Sequence, residues 1–136
     1  YCLMPNHFHF LVYTKSGFEP TRFSNAMRTL LSSYTRAIQK QDGFTGSLFQ
    51  QNTKYKEIDS NEYSHSCFHY IHQNPIKARL VSKIEDWEHH SFKEYLTPEK
   101  GYCNVNLARE ILNIPIEPDR FYKESYSTIH ENFEFE

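Results

Sequence analysis

The sequence predicts an α+β protein, and three observations carry that expectation. The opening run YCLMPNHFHFLV reads as a strand; residues near 21–41 repeat their apolar positions at helical spacing, with a second helix over about 61–73; and a short run between the two helices, Lys54 to Ile58, reads as a second strand. At 136 residues the chain can bury a working core. Aromatic residues make up 16%, with ten Tyr and eleven Phe, which excludes a disordered polar chain. The formal charge of −2 argues against a strongly basic, non-specific nucleic-acid binder, so any DNA surface has to be local. Cys2, Cys67 and Cys103 are odd in number and lack metal-type spacing, as expected of reduced thiols in a cytoplasmic protein. No apolar run approaches the roughly 18–20 residues that span a bilayer, and no signal peptide is visible.

The first strand places His7 and His9 two positions apart, so their side chains share a face with Cα atoms roughly 6–7 Å from each other. Phe8 and Phe10 are expected to point the other way, into a core. Two neutral imidazoles at that spacing suit a divalent ion, but a hydrogen-bonded core histidine is the commoner occupant of such a position, and the pair needs a third ligand. Gly17 to Pro20 ends the run. A helix follows from about Thr21 to Gln41, with Phe23, Met27, Leu30, Leu31, Tyr34 and Ile38 on one side and Arg22, Arg28, Arg36 and Lys40 on the other. An amphipathic helix explains both faces, and phosphate contact by its arginines is an open alternative. Residues 42–50, DGFTGSLFQ, form a glycine-punctuated loop. Beyond Leu96 two more helices are expected, about Asn104 to Leu112 and Pro118 to Phe133, around a turn at Pro115. Glu131, Glu134 and Glu136 make an acidic tail that would repel phosphate.

The second long helix, Asn61 to Gln73, ends in HYIHQNP. Tyr70 and Asn74 are four residues apart and therefore on one helical face. A carboxamide oxygen can complete a site begun by two histidines, and a phenol one turn away can reach a phosphate held there. The local alternative is that Tyr70 packs and Asn74 closes the helix before Pro75. His65, His69 and His72 also share a stripe, a spacing that can bind zinc. With no acidic or cysteine ligand at a matching offset, that stripe reads as a polar face.

Four blocks in order, YCLMPNHFHFLV, GFTGSLFQ, YIHQNPIKARLV and HHSFKEYL, resemble the single-tyrosine HUH transposases, most closely the REP-associated tyrosine transposases, over residues 1 to about 96. The resemblance implies a catalytic domain over 1–96 with a C-terminal helical extension over 97–136. It implies a fold, an antiparallel sheet of about four or five strands in a ferredoxin-like sandwich, with helices largely on one face and the HUH strand central. It also implies an activity: cleavage and rejoining of single-stranded DNA through a 5′-phosphotyrosine intermediate. In that reading His7, His9 and Asn74 hold Mg²⁺ or Mn²⁺ and Tyr70 is the nucleophile. The partner is single-stranded or hairpin DNA, with Arg22, Arg28, Arg36, Lys54, Lys56 and Lys77 as candidate contacts. A homodimer is compatible with the sequence, which does not fix the oligomeric state. The family carries a strand and a helix ahead of YCLMPNH, so the chain is expected to be an N-terminally incomplete member. It departs from the family also at Arg79, where NP-x-x-A-G has glycine. Two other readings use the same residues: a catalytically silent descendant that binds folded DNA ends, and a phosphoesterase that uses water in place of Tyr70.

Overall fold

The opening run does not form one strand, because Pro5 and Asn6 break it. Met4 N–H donates to the His7 carbonyl at 2.8 Å, closing a tight turn between strands β1 (Cys2–Leu3) and β2 (Phe8–His9). The strands pair antiparallel, Cys2 opposite His9 and Leu3 opposite Phe8. The other side of β1 meets the block HHSFKEYL: Cys2 bridges His90, Leu3 N–H donates to the His89 carbonyl, and Ser91 N–H donates to the Tyr1 carbonyl. In this computed structural model, which describes residues 1–51, 53–97 and 101–127, the protein is a mixed fold of four α-helices and one small two-stranded antiparallel sheet.

The α+β expectation holds in its coarse form: among the described residues one sheet of two strands, β1 and β2, is present, and a sheet of four or five strands is not shown. The run Lys54 to Ile58 is irregular rather than a strand. A strand exists only where a neighbour supplies ladder hydrogen bonds. Phe8 and Phe10 do leave the histidine side together, their rings 5.0 Å apart, yet Phe10 stays 45% exposed rather than entering a core.

The chain divides into two compact units, residues 1–12 with 56–136, and residues 13–55. The second unit is built around α1 (Pro20–Asp42), which starts with Pro20 at its first turn and stops at Gly43 in the left-handed conformation, φ 70°. None of its residues is buried. Tyr34 rests against Phe49 and Phe18 against Phe23, while Leu30 and Tyr34 remain exposed.

The first unit holds the core: Phe68, Ile84, Phe92, Tyr95, Leu112, Ile114 and Phe121. Its centre is α2 (Asn61–Lys77), capped by the Ser60 hydroxyl, which accepts from Tyr63 N–H at 3.2 Å. Around α2 pack β1, the 3₁₀ turn Ile84–Asp86, α3 (Val105–Leu112) and α4 (Pro118–Ser125). A second 3₁₀ turn, Phe92–Tyr95, brings Phe92 face-on to Phe121 at 5.0 Å. The last helix ends at Ser125, with Tyr126 and Ser127 in a turn and not in the helix expected to run to Phe133, because Tyr126 leaves the helix to bond Glu85 and the Ile84 N–H; residues 128–136, with the acidic tail, lie outside the described residues. Among the described residues, no helix is long and apolar enough to cross a membrane.

The second helix is longer than its sequence predicts, since it runs through Pro75 to Lys77. Proline removes the N–H that would reach the Ile71 carbonyl. Asn74 offsets this: its Nδ2 donates to the Tyr70 carbonyl at 3.0 Å and lies 3.5 Å from that of Ile71. The helix then closes in a Schellman turn, Leu80 N–H to the Pro75 carbonyl at 2.9 Å and Arg79 N–H to the Ile76 carbonyl at 2.8 Å. Arg79 occupies the left-handed position of that turn, φ 57°, which explains why glycine suits it.

Nor do His69 and His72 lie on a polar face; both are buried, because their stripe is the one α2 turns toward the core. His72 Nε2 pairs with Ser91 Oγ at 3.0 Å, and the equally buried His90 donates from Nε2 to the Ile84 carbonyl at 2.6 Å. Burial lowers the pKa of all three, His69 to about 4 with a further push from His65.

Arg79→Gly is expected to stabilise the protein by about 0.5–1 kcal/mol, the relief of left-handed strain less the greater chain entropy of glycine; thermal unfolding checks it. Acid should have the opposite effect. Below pH 6.5 the unfolded chain protonates these histidines while the folded protein keeps His69 neutral down to about 4, so stability falls with pH across that window. The expected slope is about 1.4 kcal/mol per pH unit for each fully resisting histidine. Urea midpoints at pH 7.5, 6.0 and 5.0 test this, and a flat profile contradicts it.

Candidate metal and tyrosine site

The hairpin turn, rather than a continuous strand, sets the histidine pair. His7 ends the turn and is exposed; His9 sits on β2 and is half-buried. Their rings meet edge to face with centroids 4.8 Å apart. His7 Nδ1 lies 2.7 Å from Asn6 Oδ1. A carbonyl oxygen can only accept, so Nδ1 carries the hydrogen and the lone pair is left on Nε2. Burial, aided by the neighbouring His7, lowers the His9 pKa to about 4, which keeps that imidazole neutral. Asn6, adjacent to His7 in the sequence, was not singled out by sequence reasoning; an Asx side chain in a turn just before a histidine is the signal that could have found it.

Helix α2 brings the phenol. The Tyr70 ring stands 6.1 Å from the ring of His9, edge to face, so His7, His9 and Tyr70 form one continuous series. Tyr70 is half-buried, and that burial raises its pKa above the usual value for a phenol. Lys77, two turns further along α2, holds its ammonium 4.6 Å from the centre of the Tyr70 ring. Tyr63, the nearest competing phenol, carries a similar partner, Lys56 at 4.7 Å.

Asn74 is buried one turn beyond Tyr70. The backbone carbonyls of Tyr70 and Ile71 both demand a donor, which assigns Nδ2 to them and leaves Oδ1 as the atom available for another partner. The sequence suggests a set of two imidazole nitrogens and one carboxamide oxygen, while the contacts described above join His7 and His9 to each other, to Asn6 and to Tyr70 and do not include Asn74. Such a mixed set fits a borderline-hard divalent ion and disfavours a thiolate-type metal.

The candidate DNA contacts divide between the two units. Lys56 and Lys77 belong to the first, each over a tyrosine ring and exposed. Arg22, Arg28 and Arg36 on α1, and Lys54 after it, are exposed in the second. One cluster crosses the expectations made from sequence: His65 and His69 on α2 meet Glu124 on α4, the acidic partner that no nearby offset supplies. The chain matches no protein-family model, no curated protein and no solved structure.

The two roles of the Asn74 amide separate in metal-free protein. With chelator present, Asn74→Ala is expected to cost about 1 kcal/mol through the unmade bonds to the Tyr70 and Ile71 carbonyls, and Asn74→Asp more, since a carboxylate would face two carbonyl oxygens. Urea unfolding of the three proteins checks this. Equal stability would mean that the amide does not serve the helix.

Proposed function

We propose that this chain cleaves and rejoins single-stranded DNA through a 5′-phosphotyrosine intermediate, as a member of the single-tyrosine HUH transposases that its four ordered blocks resemble. The observation that carries the reading is the series His7, His9, Tyr70, with ring centroids 4.8 and 6.1 Å apart, assembled from a hairpin and a helix far apart in sequence. His7 Nε2, His9 and Asn74 Oδ1 hold Mg²⁺ or Mn²⁺ in this reading. When bound, such an ion draws charge from phosphate oxygens and so makes a modest nucleophile sufficient.

Tyr70 supplies that nucleophile. Its oxygen forms a bond to the scissile phosphorus, the bond from phosphorus to the 3′ oxygen breaks, and the departing 3′ oxygen takes a proton. The phenolic proton passes to solvent. Burial holds Tyr70 protonated at neutral pH, and the Lys77 ammonium above the ring favours the charge that develops as the proton leaves. The phosphotyrosine bond conserves the energy of the broken phosphodiester, so the 3′-OH of a second strand reverses the step and restores the phenol. Hairpin DNA with a single-stranded flank is the substrate, because the attacked phosphate has to be unpaired and the protein, at a net charge of −2, has little non-specific attraction for duplex. The same reading takes the sheet and helices as part of a ferredoxin-like sandwich. Antiparallel pairing of β1 with β2, and the packing of α2 on β1, support it.

Incubation with labelled hairpin DNA and Mn²⁺, followed by denaturing electrophoresis, tests the proposal. A denaturant-resistant adduct is expected from the wild type and from Tyr63→Phe. Tyr70→Phe should lose cleavage and adduct together while binding the hairpin within a few-fold of the wild type. His7→Ala combined with His9→Ala should lose cleavage and Mn²⁺ binding without unfolding. Cutting by Tyr70→Phe at the wild-type rate would sink the tyrosine mechanism in favour of water. A wild type that binds hairpins and cuts with neither ion is the silent descendant.

A further inference from the structure

The first unit contains a second constellation of metal-binding groups that the transferase reading does not use. His65 and His69 are four residues apart on α2, with their Nε2 atoms 3.3 Å from each other. Glu124 on α4 places Oε2 3.4 Å from His65 Nε2, and all three donor atoms lie within 4.8 Å of one another. The other carboxylate oxygen of Glu124, Oε1, accepts from Arg120 Nε at 3.0 Å. That bond orients the carboxylate and leaves Oε2 turned to the histidines.

The two short separations suit weak polar pairing or shared coordination. As hydrogen bonds, 3.3 and 3.4 Å are long, beyond the usual range of about 2.7–3.2 Å. Two of the three edges match a coordination tetrahedron, in which donors about 2.0–2.1 Å from a zinc ion stand roughly 3.3–3.4 Å apart; the third, from His69 to Glu124, lies within 4.8 Å and has to shorten by side-chain rotation as the ion binds. Two imidazole nitrogens at i and i+4 of a helix plus one carboxylate oxygen form a common zinc donor set. His69 is buried while His65 and Glu124 are partly open, so the ion would have protein on one side and solvent on the other. An open surface depression lined by Arg120, Lys123, Glu124 and Ser127 shares Glu124 with the cluster.

We propose that His65, His69 and Glu124 bind one Zn²⁺ ion, with water in the fourth position, and that this ion clasps α4 to α2. The site is separate from His7, His9 and Asn74, and does not depend on the transferase reading. Through His69, the residue before Tyr70, the clasp would tie the tyrosine-bearing stretch of α2 to its neighbour.

The test is made in the His7→Ala, His9→Ala protein, so that the other constellation contributes nothing. Calorimetric titration with Zn²⁺ should show one tight equivalent, and Co²⁺ in its place should give the visible absorption of a tetrahedral site. Saturating Zn²⁺ should raise the unfolding temperature by about 5 °C or more, since the ion binds only the folded arrangement. Adding His65→Ala or Glu124→Gln, both partly exposed positions, should cut zinc affinity at least tenfold and abolish the thermal shift while circular dichroism stays native. Absence of stoichiometric zinc binding in the parent double variant overturns the proposal, as does binding that survives both added substitutions. In either case the cluster is a His65–Glu124 polar contact beside His69.

Discussion

The rotation of helix α2 about its own axis is the constraint on which the rest depends. Phe68 sets it, meeting His72 at 4.5 Å, Tyr95 at 4.8 Å and Phe121 at 6.3 Å. With Phe68, Ile71, His72 and Pro75 turned to the core, the 3.6-residue period leaves Tyr70 half-buried on the flank beside His9. It also carries His65 round to α4. Burying an aromatic side chain contributes about 1.5–3 kcal/mol, and Phe92, Tyr95 and Phe121 all gather on the same spot. A slip by one residue would turn the helix by about 100°. The phenol would then enter the aromatic cluster, and the proposed nucleophile would be lost to packing.

Burial also decides the charge state of the imidazoles. Among the described residues, six histidines stand against another histidine ring, His7 with His9, His65 with His69, and His72 with His90, and the last pair is further enclosed by Phe92. Where such a ring is also buried, the proton is lost before it would be in water. His72 and His90 use the neutral ring as a hydrogen-bonding spacer, to Ser91 and to the Ile84 carbonyl, and so tie the block HHSFKEYL to the core. His9 and His69 reach the same neutral state at places where a ring nitrogen could serve a ligand. One physical effect thus supports structure at His72 and His90 and, in the proposed sites, would suit ligand binding at His9 and His69.

The two long helices show opposite fates for similar patterns. The apolar stripe of α1 is the more regular of the two, yet none of its residues is buried. The pattern of α2 is interrupted by histidines, a serine and a proline, and eight of its residues are buried. Amphipathic spacing states which face of a helix can pack. Whether anything covers that face depends on neighbours the helix does not encode. The Asn74 and Pro75 pair illustrates the converse: a proline that should end a helix is carried inside it because the preceding side chain reaches back to the carbonyls near the gap.

What the sequence determined by itself was local. The ends of α1, the Ser60 cap, the start of α3 and α4 and the sharing of one helical face by Tyr70 and Asn74 all follow from nearest-neighbour chemistry: proline at a first turn, glycine or asparagine in left-handed backbone, serine as a cap, and the helical period. The side-by-side placement of His7 and His9 was legible too, although a turn and not a long strand produces it. Tertiary structure decided the rest. It left Lys54 to Ile58 without a strand partner, made the histidine stripe of α2 a buried face, set the rings of His9 and Tyr70 together, and brought Glu124 to His65. These outcomes share one physical reason. Each depends on the free energy of contact between segments distant in sequence, and neither spacing nor propensity within a segment carries that term.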